Sequence, residues 1–107
     1  MKFAIDQFIE HYATVTNGES ALFRDNLLQI CTIHDTSEDK VCEAYALAVC
    51  EAFVAGKLDT DRASFAIDDL FWAAECSLHG FALEAFDALE YRESSVSDIK
   101  NLLSSRT

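Results

Sequence analysis

The chain contains no proline and only three glycines, Gly18, Gly56 and Gly80, in 107 residues. Proline removes an amide donor and clashes with the preceding turn, and glycine weakens a helix, so a chain with so few interruptions can sustain helix after helix. Between the glycines the apolar residues recur three and four apart. No stretch alternates with period two for long enough to make a strand. The expectation is an all-α fold, a single compact bundle of five to six helices forming one domain over residues 1–107. Half the residues are hydrophobic and a quarter charged, which is far from the composition of disordered chains.

The pattern places a first helix over Phe3–Val15 (Ile5, Phe8, Ile9, Tyr12), turned by Asn17-Gly18, and a second over Glu19–Ile33 (Phe23, Leu27, Ile30, Cys31). Asp35 or Thr36 is expected to cap a third helix reaching Ala55, whose broad apolar face makes it the central one. Asp59 and Thr60 start a fourth that ends near Gly80, and a fifth covers Phe81–Arg92. Ser94 or Ser95, with Asp98 at capping-box spacing, starts a short sixth.

Charge narrows the function classes. Nineteen acids oppose eight bases, a net charge of −11, and fifteen of the acids fall between Asp35 and Asp98. A phosphate backbone rewards Lys and Arg, so nucleic acid is disfavoured as a direct ligand and a basic protein partner is expected. No apolar run is long enough to span a membrane. Met1–Ile9 is interrupted by Asp6 and lacks a basic leader and a cleavage site, so the chain reads as cytoplasmic.

On the fourth helix Asp61, Asp68 and Glu75 recur every seven residues and project from nearly one line. On the fifth, Glu84, Asp87, Glu90 and Glu93 recur every three, keeping like charges within about 5–6 Å of one another. Trp72 sits at the edge of the acidic ridge, where it would serve equally as an interface anchor or as core. The partner-binding surface is therefore assigned to Asp61, Asp68, Glu75, Glu84, Asp87, Glu90 and Trp72. The short connection at His79-Gly80 favours adjacent, antiparallel fourth and fifth helices.

Other constellations read as structural. Asp68-Asp69 and Glu38-Asp39 point about 100° apart on a helix and do not converge on one atom. Cys76 and His79 have a spacing that could serve zinc, but no matching second pair exists, so a core thiol and a histidine at a negative helix end are expected instead. Cys31, Cys42, Cys50 and Cys76 are expected to be reduced and free of metal. No Gly-rich elbow or oxyanion-forming loop accompanies a nucleophile, so no catalytic residue, cofactor or metal is assigned and an enzyme is not expected.

The segments AFVAGKLDTDRASFAIDDLFWAAE (Ala52–Glu75) and FALEAFDALEY (Phe81–Tyr91) resemble small acidic helical bacterial proteins. The LFWAAE run (Leu70–Glu75) is similar to the immunity proteins that protect bacteria from colicin D-type, transfer-RNA-cleaving toxins. That resemblance implies a stoichiometric inhibitor whose carboxylates cover the basic, phosphate-binding surface of a toxin or nuclease. The alternative is a structural or adaptor module that self-associates, for instance as a homodimer, through faces such as Phe71/Trp72 or Phe81/Phe86, with the acids only solubilising it. Salt separates the two, weakening the first kind of association and sparing or strengthening the second.

Overall fold

In the computed structural model, which describes residues 1–14, 19–92 and 94–105, six helices follow in chain order. They are α1 (Lys2–Thr14), α2 (Arg24–Ile33), α3 (Glu38–Val54), α4 (Thr60–Ala73), α5 (Gly80–Glu90) and α6 (Val96–Ser105). Among the described residues there is no strand, as the periodicity predicts, and no helix is long and apolar enough to cross a membrane. The Asn17-Gly18 turn, Val15 and Glu93 lie outside the described residues.

Helix starts follow local cap chemistry. Asp59 accepts the Arg62 amide at 2.8 Å, and Ser95 and Asp98 exchange two hydrogen bonds in the expected capping box. At α3 the cap is Ser37, which accepts the Lys40 amide, rather than Asp35 or Thr36. Asp35 instead takes a left-handed conformation at the end of α2 (φ +50°).

Three helices end in the same way, with a left-handed residue followed by two backward hydrogen bonds. After α3, Gly56 (φ +81°) donates to Phe53 and Lys57 donates to Ala52. After α2 the same bonds run from Asp35 to Thr32 and from Thr36 to Cys31. After α4 they run from Glu75 to Trp72 and from Cys76 to Phe71, with both Glu75 (φ +55°) and Cys76 (φ +62°) left-handed. The fourth helix therefore stops at Ala73, short of the Gly80 boundary expected from the apolar pattern, and Gly80 belongs to the first turn of α5.

The second helix is also shorter than expected. Residues 19–23 are not helical, because their polar groups are held elsewhere: Ser20 Oγ and the Ala21 amide donate to Asp69, and the Leu22 amide donates to the Tyr12 hydroxyl. Starting the helix at Arg24 leaves Phe23 exposed instead of on the apolar stripe, while Leu22, Leu27 and Ile30 are buried.

All six helices contribute to one core, and α3 touches each of the other five. Val41, Tyr45, Val49 and Cys50 of α3 are wholly buried, as are Ala63, Ile67 and Leu70 of α4 and Ala85 of α5. Between α4 and α5, Phe71 stacks on Phe86 with ring centroids 4.4 Å apart, and Ser64 donates to Glu90 at 2.9 Å. These pairs run in opposite order along the two helices, so α4 and α5 are antiparallel neighbours.

Candidate protein-binding face

The acids assigned from sequence occupy three places. Ser64, Asp68 and Trp72 follow one another turn by turn along α4, with Asp61 seven residues before Asp68, and this line borders the seam with α5. Glu90 reaches across that seam to Ser64. Glu84 and Asp87 instead line a shallow hollow on the other flank of α5 with Tyr91, Arg92 and Leu102 of α6. Glu75 has left the ridge altogether. It lies past the end of α4 and pairs with Arg24 at 3.0 Å, so the line expected to run Asp61, Asp68, Glu75 stops at Trp72.

Within the seam, charge is crowded and unrelieved. Burial, then the Glu90 carboxylate, then Asp69 push the Asp68 acid above its ordinary value, and the Trp72 indole N–H drawn to the same carboxylate works in the opposite direction. Among the described residues, none of Asp61, Asp68, Glu84, Asp87 and Glu90 forms an ion pair. The cations near the Asp68–Glu90 seam are engaged elsewhere: Arg62 donates to the Ala13 carbonyl, and Arg92 lies in the hollow with Glu84 and Asp87 and beside α6, where it acts on Asp98.

An aromatic row crosses the same helices. Trp72 packs edge-on against Phe71 (5.6 Å, 80°), Phe71 stacks on Phe86, and Phe86 meets Tyr91 edge-on (5.5 Å). The two ends are open to solvent, with Trp72 65% exposed and Tyr91 71% exposed, while Phe86 is buried. Trp72 is thus surface rather than core, presenting a large ring held from behind.

Asp69 figures in the sequence pattern only as half of a carboxylate pair that does not converge, and the structure gives it a role of its own. Asp69, adjacent to Asp68, is 8% exposed, the one buried charged side chain among the described residues. It accepts the Tyr12 hydroxyl at 2.5 Å, Ser20 Oγ at 3.0 Å and the Ala21 amide at 3.2 Å. Burial and then Asp69 push the Tyr12 phenol well above its ordinary range. The Tyr45 hydroxyl, pushed up mainly by burial, approaches the Tyr12 hydroxyl without reaching good hydrogen-bond geometry and has no other partner among the described residues. This knot fastens residues 20–22 to the bundle, with its Tyr12 end buried and its Ser20 and Ala21 end part-buried.

The remaining candidates are electrically satisfied. Arg24 grips both oxygens of Glu38 (2.8 and 3.0 Å), the Ala73 carbonyl and Glu75, joining α2, α3 and the end of α4. A groove of about 590 Å³ between α1 and α3 has Ile5, Ile9, Ala48 and Ala52 in its walls, but its rim charges pair with one another as Lys2–Asp6 and Lys57–Glu10. The four thiols are unpaired. Cys42 and Cys50 are buried and pushed by burial up to about 11 and about 12, whereas Cys76, expected in the core, is exposed. His79 precedes α5 and so meets a positive helix end rather than the negative one expected. Among the described residues no three His, Cys, Asp or Glu side chains could hold a metal ion.

No protein-family model, curated protein sequence or solved structure matches the chain.

Proposed function

We propose that the chain is a stoichiometric protein-binding inhibitor of the immunity type, which lays the α4–α5 face against the basic, polyanion-binding surface of a toxin or nuclease domain. The observation that carries this reading is the crowding of Asp68 and Glu90, without an ion-pair partner among the described residues, beside an exposed and buttressed Trp72. Like charges held together destabilise the free protein, and a basic partner would relieve them as it binds. A large aromatic anchor among acids is the composition of a hot spot facing a basic surface. Complementary charge would accelerate encounter, with on-rates up to about 10⁸–10⁹ M⁻¹s⁻¹ at low salt.

The test uses the protein encoded by the neighbouring gene in the source genome. On this reading it is a basic protein whose nuclease or toxin activity falls linearly to zero at one equivalent of the chain, with an affinity that drops steeply as salt rises. Charge reversal of Asp68 and Glu90 to lysine should abolish the inhibition while circular dichroism stays helical. Undiminished inhibition by that folded double variant would sink the reading.

The self-association reading, expected through Phe71/Trp72 or Phe81/Phe86, loses Phe86 to the core and has Phe71 and Phe81 partly buried, so it draws on Trp72 and on Phe3 and Ile33, which are 76% and 66% exposed on α1 and α2. Sedimentation in low and high salt separates the two. A dimer that persists or strengthens in high salt and is lost in Phe3→Ser or Ile33→Ser would favour it.

A further inference from the structure

We infer that residues 19–23 are a two-position element, either latched to α1 and α4 as a strap or wound onto the start of α2 as one further turn, with the Asp69 carboxylate as the latch. This goes beyond the proposed function and does not depend on it.

Side chains hold the strap along its whole length. His11 Nε2 donates to the Glu19 carbonyl at 3.1 Å, Ser20 Oγ and the Ala21 amide donate to Asp69, the Leu22 amide donates to the Tyr12 hydroxyl, and the Phe23 amide donates to Asn26 Oδ1 at 2.9 Å. Three of these five bonds end on Asp69 or on the Tyr12 hydroxyl, which itself donates to Asp69. One carboxylate therefore decides whether the strap is held.

The held residues, Glu-Ser-Ala-Leu-Phe, include no glycine, proline or β-branched side chain, and they abut a formed helix. Adding a turn to an existing helix needs no new nucleus. Ser20 is a favoured cap, and its hydroxyl, once freed from Asp69, is placed two and three residues before the Leu22 and Phe23 amides that a cap satisfies. The apolar spacing agrees. Phe23, now 59% exposed, stands four and seven residues before the buried Leu27 and Ile30, so winding turns its ring onto their stripe as the buried Leu22 leaves. The latched form also leaves the wholly buried Tyr45 hydroxyl short of good hydrogen-bond geometry, beside a Tyr12 hydroxyl already occupied by the Leu22 amide. Release of the strap frees that acceptor for Tyr45, so opening repairs a bond that latching leaves unmade. Each form thus has its own compensation, which is the condition for two populated positions.

The experiment follows the backbone ¹³Cα chemical shifts of residues 19–23 in the full chain by NMR. The native protein should give non-helical values there. In Asp69→Ala the expected result is a move of residues 20–23 to helical values, with new contacts from the Phe23 ring to Leu27 and Ile30 and the other helices unchanged. Residues 19–23 that stay as they are, or that become random coil, overturn the inference. Tyr12→Phe keeps the Asp69 carboxylate but removes the acceptor of the Leu22 amide, and it decides the matter if Asp69→Ala does not fold. A shift of the same residues toward helical values in Tyr12→Phe supports the two-position element, and unmoved values overturn it.

Discussion

Asp68 and Asp69 are neighbours in the chain and opposites in the fold. Asp69 points inward, accepts three hydrogen bonds and fastens residues 20–22 to the bundle. Asp68, about 100° further round the helix, faces the seam with α5, where it meets another carboxylate and, among the described residues, no cation within ion-pair distance. The same functional group is a fastener on one side of α4 and an unmet demand on the other. The difference lies in the supply of donors: Tyr12, Ser20 and the Ala21 amide converge on the inner carboxylate, while the outer one has chiefly a single indole N–H. An acid whose partners are all internal has no role left for a ligand, so the outer face is where binding is to be sought.

The inner half of this comparison is the easiest to break. Asp69→Ala strands the buried Tyr12 hydroxyl and the part-buried Ala21 amide, and an unsatisfied buried donor costs about 1–3 kcal/mol, so a loss of about 2–4 kcal/mol is expected in urea unfolding. A loss below about 1 kcal/mol would mean that the knot does not hold residues 20–22. Tyr45→Phe acts in the opposite direction. It removes a buried hydroxyl whose contact with the Tyr12 hydroxyl falls outside good hydrogen-bond geometry and should raise stability by up to about 1 kcal/mol, read in the same assay.

The third prediction concerns the end of α4. A left-handed non-glycine residue is strained by roughly 1–2 kcal/mol, and the exposed Glu75–Arg24 pair is worth about 0–1 kcal/mol, so Glu75→Gly should gain about 0.5–1 kcal/mol. Loss of stability there would show that the ion pair outweighs the strain.

The smallest effect belongs to the outer acid. Asp68→Asn should change stability at neutral pH by no more than about 0.5 kcal/mol, in contrast to the change at Asp69. Its signature is in the pH profile. The folded value of Asp68 is raised above 3.8, so in the window between these values the folded chain holds a proton that the unfolded chain has lost. Stability conferred by that proton is lost as pH rises through the window, and the asparagine variant should flatten this segment of the curve. An unchanged profile would mean that the seam acid titrates as freely as any surface carboxylate.

Helix type and number were legible from periodicity, and so were starts whose chemistry is contained within four residues. Asp59 capping Arg62 and the Ser95–Asp98 box are local events, complete before any packing occurs. Where a boundary depended on distant residues, the pattern misled. Glu19–Phe23 carry helix-compatible residues, yet the groups that hold them extended come from Asp69, 49 positions away from Ser20 in sequence, and from Tyr12. The apolar spacing continues through Ala74 and Leu78, so the stop at Ala73 was hidden, and the left-handed residue that makes it is a glutamate rather than the glycine a reader looks for.

The candidate face divides along the same line. That acids recur along α4 and α5, and that Trp72 sits among them, is a property of the residue order. Whether a ring is core or surface, and which carboxylates meet, depends on how the two helices are rotated against each other, and that rotation is set by the Phe71–Phe86 stack. Spacing along one helix fixes a residue's angle about its own axis and says nothing of the neighbour it will face. Packing therefore brought Glu90 to Asp68, turned Glu84 and Asp87 toward α6, and gave Glu75 to Arg24.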